Sequence, residues 1–252
     1  MSLYIQALLW GLLSGSALLI GAALATVSRI PQRVLAGVMA FGAGVLISAL
    51  AFELTHEAHK RGGLISTVLG FVVGAAAFTA ANVWISRTGG HHRKRSSDHM
   101  QQKAHEGSGL AIAVGALFDG IPESIAIGVS LLADKGVGLV AVAAVFMSNL
   151  PEGLSSATGM RKAGRSNAYI FGVWGGIALA CGLAAMFGNL AVSQADPAVI
   201  AIVLAVAAGA ILAMIVDTMI PEAFEIAHEY AGLITVIGFL AAFVLSKLAE
   251  MH

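Results

Sequence analysis

Charge is what this sequence has least of. Its 252 residues include 14 Lys and Arg and 14 Asp and Glu, 11% of the chain, where a soluble domain carries roughly a quarter. Hydrophobic residues make up 58%, and mean hydropathy is +0.87. So few charges cannot cover a soluble core of this size with polar surface. Intrinsic disorder is excluded as well, because it needs low hydrophobicity and high net charge. The formal net charge is zero, and nothing suggests a nucleic-acid partner, which would need a basic patch of some size. Cysteine is nearly absent. Cys181 lies in an apolar stretch with no second thiol to pair with, so it says little about redox compartment. Nor is there an H-E-x-x-H motif, the mark of one class of intramembrane metalloprotease. The nearest approach, Glu53-Leu-Thr-His56-Glu57, lacks the second His. What remains is a polytopic, all-α membrane protein. The 30 glycines suit it, since small residues let membrane helices approach closely.

A helix needs about 20 apolar residues to cross the hydrocarbon layer. The uncharged stretches predict eight spans, at 3–27, 33–54, 63–86, 108–132, 136–160, 166–193, 197–219 and 230–250. The first has no basic n-region and is too long for a cleaved signal peptide. Only the connection at 87–107 is long. Most Lys and Arg fall on one side if both termini lie outside, periplasmic or extracellular. Arg29, Arg33, Arg87, Arg93, Lys94, Arg95, Lys103, Arg161, Lys162 and Arg165 are then cytoplasmic, as the positive-inside tendency favours. Lys60 and Arg61 run against that bias.

Two segments resemble each other. Gly63-Leu-Ile-Ser-Thr-Val-Leu-Gly-Phe71 matches Gly232-Leu-Ile-Thr-Val-Ile-Gly-Phe239 with one deletion. Upstream, Phe52-Glu-Leu-Thr-His-Glu-Ala58 faces Asp217-Thr-Met-Ile-Pro-Glu-Ala223. Residues 1–86 and 166–252 therefore read as two repeat units. Residues 108–160 form a central pair of spans, after a cytoplasmic His-rich loop at 87–107. The units lie an odd number of spans apart, so the second is inverted in the membrane, a common plan among transporters.

The central pair carries the chemistry. Span 4 reads Phe118-Asp119-Gly120-Ile121-Pro122-Glu123-Ser124, and span 5 reads Met147-Ser148-Asn149-Leu150-Pro151-Glu152-Gly153. A carboxylate at bilayer depth costs about 3 kcal/mol unless paired. Asp119, Glu123 and Glu152 have no Lys, Arg or His in their own spans. They call for a bound cation, protons or a water-filled cavity. Asp119 and Glu123 stand at i and i+4, as do Ser148 and Glu152, so each pair shares a helix face. Each proline leaves a carbonyl near i−4 without its donor, here those of Phe118 and Met147. Kinked helices with open carbonyls and carboxylates suit a cation site at mid-membrane. A relay serving a proton-coupled transporter of another small solute would use the same acids.

These residues resemble the ZIP family of divalent metal transporters. Its span 4 usually carries His-Asn-x-Pro/Thr-Asp/Glu-Gly, and its span 5 carries His/Gln-Asn/Asp/Glu-x-Pro-x-Gly. Here the two align from Asp119 to Ser124 and from Ser148 to Gly153, and 208–223 looks like the family's span 7. The resemblance implies eight spans in a 3+2+3 arrangement with both termini outside. It also implies transport of zinc, manganese, iron or cadmium across the cell membrane toward the cytoplasm. The metal is substrate, and no prosthetic group or enzymatic activity is expected. Expected partners are divalent ions, the lipid bilayer and a second copy in a homodimer. The implied ligands are Asp119, Glu123, Asn149 and Glu152, with Ser148 weaker. The family's span 4 His is Asp119 here, its Asn is Gly120, and span 6 has no acid where the family often has one. That departure favours one metal over two. An all-oxygen set moves the expected preference from Zn²⁺ toward Mn²⁺ or Fe²⁺.

No histidine falls in the middle of a span. Glu53 lies at the end of span 2 with His56 and Glu57 just after it, and Glu222 and His228 follow span 7. Imidazole and carboxylate are common ligands of transition metals, so these five are expected to meet metal weakly at the outer and inner mouths.

Overall fold

The computed structural model describes residues 1–27, 30–85, 87, 108–132 and 137–250. Most of the His-rich loop, with His91, His92, His99 and His105, lies outside the described residues, as does His252. Among the described residues the chain is helical throughout, without strands. In order the helices are α1 (Leu3–Val27), α2 (Gln32–Ala49), α3 (Thr55–Ile85), α4 (Ser108–Ser130), α5 (Val137–Lys162), α6 (Asn167–Val192), α7 (Pro197–Met214), α8 (Ile220–Ala227) and α9 (Glu229–Glu250).

Among the described residues, five stretches are long and apolar enough to cross a membrane: Leu3–Val27, Gln32–Trp84, Asn167–Val192, Pro197–Ala227 and Glu229–Leu248. α4, with the buried Asp119 and Glu123, and α5, with the half-buried Glu152, are not among them. The outward faces of α3 and α9 are apolar, with Leu64, Ile65, Leu69, Val72, Leu233 and Val236 exposed. So much contiguous exposed apolar surface suits lipid rather than water.

The second stretch breaks at Gly63, where φ is 71° and ψ −175°. Only glycine adopts that backbone readily. The helix before the break does not stop where the apolar run ends. It passes through a π turn at Leu50–Leu54 and continues into α3, so His56 and Glu57 sit on helix, not loop. The Pro197 helix does the same. It passes a π turn at Ile215–Met219 and continues as α8, ending at His228 with φ 44°. A π turn widens the ring by one residue and frees a carbonyl. A threonine hydroxyl adds a bond at each turn, Thr55 donating to Leu50 O at 2.8 Å, an oxygen that also accepts the Thr55 N–H, and Thr218 donating to Met214 O at 2.6 Å. The polar ends are thus helical because backbone bonding and these hydroxyls carry the helix beyond its hydrophobic stretch.

The most extensive packing falls within two sets. α1 packs on α5 and α6, and α6 on α4. α2 packs on α9 and α3 on α7, and α8 with the two π turns joins these pairs into the second set. Glycines set the closest crossings. A Cβ on Gly44 would lie 1.9 Å from the Thr235 carbonyl oxygen, and one on Gly209 would lie 2.0 Å from that of Phe71. The sets meet chiefly where α2 lies on α5 and α4 on α7.

Candidate metal centre

The centre is built where α4 and α5 pass through the middle of the first set. Both helices continue through their prolines, Pro122 and Pro151. Asp119, Glu123, Ser148 and Asn149 are 1%, 2%, 2% and 3% exposed, so these polar groups are enclosed in protein. Glu152 is half-buried. Ser148 lies between the two helices. Its hydroxyl is 3.5 Å from Glu123 Oε1 and makes its shorter bond, 3.0 Å, to Val145 O. Asn149 donates from Nδ2 to Ser14 O at 3.1 Å, which ties α5 to α1 and leaves the amide oxygen as its acceptor.

Glu152 faces a small cavity with Met39, Ser148, Pro151, Ser155, Met219 and Glu222. Glu222 comes from α8, in the other set, and is 4% exposed. It accepts a hydrogen bond from Ser155 Oγ at 2.8 Å. A residue expected at the inner mouth therefore lies beside the central one. Helical continuation past the π turn carries it there.

The remaining mouth residues divide. Glu57 is buried and ion-paired with Arg61, one helical turn on. Glu53 is buried and accepts from Ser246 of α9. Neither is brought to the α4–α5 centre by these bonds. His56 and His228 are exposed. His228 stacks edge-on against Phe224 with ring centroids 6.3 Å apart. Among the described residues, no three His, Cys, Asp or Glu side chains lie close enough together to hold a metal ion. The acids stand as partial groups, Glu123 with Ser148 and Glu152 with Ser155 and Glu222. Each supplies oxygen donors for a hard or borderline cation.

Sequence reasoning missed Cys181, Ser155, Met39 and Arg61. Cys181 of α6 is 1% exposed. Its thiol lies beside Ser124 and near the carboxylates of Glu123 and Glu152. A Cβ on Gly120 would come within 2.9 Å of its sulfur, so the glycine makes room for it. Gly120 was the available signal: a missing side chain in a buried motif marks a position where a neighbour fills the space. Ser155 could have been found at i+3 from Glu152 on the same face of α5. No local signal points to Met39 or to the partner of Arg61.

No family model matches the chain. It is 30% identical to the zinc transporter ZupT of Enterobacter sp. (strain 638), over 85% of this chain and 85% of that protein.

Proposed function

From a chain that belongs to the ZIP family of metal transporters, we propose a transporter that carries zinc, manganese, iron or cadmium toward the cytoplasm through the α4–α5 centre. One observation carries this reading. The centre brings the buried Glu123 of α4 and the half-buried Glu152 of α5 around Ser148, and its cavity continues to a further acid, Glu222, on the opposing helix set. Buried membrane acids are costly and mark ion pathways. A cation that met Glu123, Ser148 and Glu152 would find its next oxygen at Glu222, along the direction in which α5 runs to Arg161 and Lys162.

The proposed ligands remain Asp119, Glu123, Asn149 and Glu152, with Ser148 weaker. Glu53, His56, Glu57, Glu222 and His228 line the two approaches. The metal preference follows the oxygen donors toward Mn²⁺ or Fe²⁺ as well as Zn²⁺. The reading includes eight crossings in a 3+2+3 order. Support comes from the break at Gly63, which divides the long second stretch, and from α4 and α5, each long enough to span.

An inverted repeat draws support from matched packing. Gly44 on Thr235 corresponds to Gly209 on Phe71, and Gly238 on Phe41 to Gly74 on Val206. These pairs put Gly63 opposite His228, a register shifted by one helical turn from the Gly63–Gly232 match in the sequence. The backbone agrees, since both Gly63 and His228 have positive φ. Alternating access would then be one helix set sliding or rocking against the other.

The test is uptake of Zn²⁺, Mn²⁺, Fe²⁺ and Cd²⁺ into liposomes containing the purified protein. Wild type should take up at least one of them, and Glu152→Ala should lose nearly all uptake. No uptake by wild type, or full uptake by the variant, would overturn the reading.

A further inference from the structure

The two ends of the molecule are not alike. At the Glu222 end, Ser155 reaches across the helix sets to the carboxylate, and a cavity joins it to Glu152. At the Glu57 end the carboxylate is held by a cation of the protein itself. Arg61 Nε is ion-paired with Glu57 Oε1. Its Nη2 donates to the Leu132 carbonyl at 2.7 Å, just past the end of α4. The guanidinium is well suited to this double task, because its planar fork presents several donors at once. Glu57 and Arg61 belong to α3, in one set, and Leu132 follows α4, in the other. One side chain therefore neutralises the carboxylate of this mouth and fastens the two sets together.

The repeat sharpens the contrast. In the register that matches Glu57 with Glu222, Arg61 corresponds to Ile226. The Glu222 mouth carries isoleucine at that position, so the pairing of Glu57 with Arg61 four residues on has no counterpart in the other unit.

We propose that Arg61 is a resident cation that holds the Glu57 mouth shut, occupying the carboxylate an incoming divalent ion would need and pinning α4 to α3. A metal ion can pass this mouth only once Arg61 has left both Glu57 and the Leu132 carbonyl. The proposal rests on the transport reading for its purpose, though not for its test.

The single thiol is the reporter. Cys181 is almost wholly buried against Gly120, beside the centre. Its rate of modification by a positively charged, membrane-impermeant methanethiosulfonate measures access from water. The rate is measured in intact cells and in inside-out vesicles, for wild type, Arg61→Gln, Arg61→Lys and Glu57→Gln. Loss of a charge-assisted hydrogen bond shifts an open–closed balance about tenfold or more. Arg61→Gln should therefore speed modification by about that factor from one side only. Glu57→Gln should raise the rate from that same side. Arg61→Lys keeps the ion pair without the fork and should fall between wild type and Arg61→Gln. Unchanged rates in both Arg61→Gln and Glu57→Gln would overturn the clamp. An equal rise from both sides would overturn it too, since that reports a loosened fold. Modification needs no metal. A one-sided rise in a protein whose wild type moves no metal would leave the clamp standing and remove the transport reading. Intact metal uptake with unchanged modification rates would remove the clamp alone.

Discussion

At the scale of single residues, the centre is shaped as much by a missing side chain as by those present. Gly120 sits one residue after Asp119, and the Cys181 sulfur fills the space a methyl would take, 2.9 Å from an added Cβ. Two effects of opposite sign meet in Gly120→Ala. Within a helix, alanine is favoured over glycine by about 1 kcal/mol. Crowding a buried sulfur costs about 1–3 kcal/mol, at the low end here because a thiol can turn aside. Gly120→Ala alone is expected to leave stability within about 1 kcal/mol of wild type, the two effects offsetting. In a Cys181→Ala background the crowding is gone, and the same change should stabilise by about 1 kcal/mol. The check is a double-mutant cycle of unfolding in detergent. Zero coupling between the two sites would mean that the sulfur does not fill that space. The sequence displayed Gly120 as a departure from a motif. That the departure accommodates Cys181 depends on how α6 lies against α4, and no local pattern encodes that.

Among elements, helix contacts divide by how near the backbones come. At Gly44 an added Cβ would meet the Thr235 carbonyl oxygen at 1.9 Å and the Phe239 nitrogen at 2.7 Å, both backbone atoms of α9 that cannot swing away. Gly44→Ala must push α2 and α9 apart and is expected to cost about 3 kcal/mol, the upper end for overpacking. At Gly172 of α6 an added Cβ meets nothing within 4 Å. Gly172→Ala should stabilise by about 1 kcal/mol through helix propensity. Unfolding midpoints of the two variants in one detergent check the contrast, and equal effects would contradict the close crossing. The sequence made helices easy to place, because apolar runs and their charged ends are local signals. It hid where they end. Hydropathy stops the second and seventh spans near Leu54 and Met219, yet the helices run on through π turns to Gly63 and His228. Hydropathy registers the solvent a segment prefers, whereas helix ends follow backbone hydrogen bonding, here sustained by Thr55 and Thr218. The same extension explains why Glu222, read as a mouth residue, reaches the cavity beside Glu152.

Across the whole molecule, the proposed repeat pairs Glu57 with Glu222, and in that reading function must come from where the two units differ. The sequence pattern revealed the resemblance and the acids of spans 4 and 5. It could not reveal that Glu57 and Glu222 live in opposite surroundings, one ion-paired to Arg61 and tied to Leu132, the other hydrogen-bonded to Ser155 beside a cavity. If one cation at one mouth sets which end is closed, moving it should move the closure. Ile226 stands at i+4 from Glu222 on α8, the same spacing that joins Arg61 to Glu57. Facing residues at that spacing can pair across one helical turn. Ile226→Arg should therefore install a guanidinium against Glu222, and combined with Arg61→Ile it should exchange the open and closed ends. Modification of Cys181 from the Glu57 side would then rise, while modification from the Glu222 side would fall, each by about tenfold, the effect of one charge-assisted bond. Ile226→Arg by itself should close both ends and slow metal uptake without removing any proposed ligand. A double variant whose Cys181 kept the wild-type pattern of access would show that closure is set by the packing of the helix sets and not by the placement of one charge.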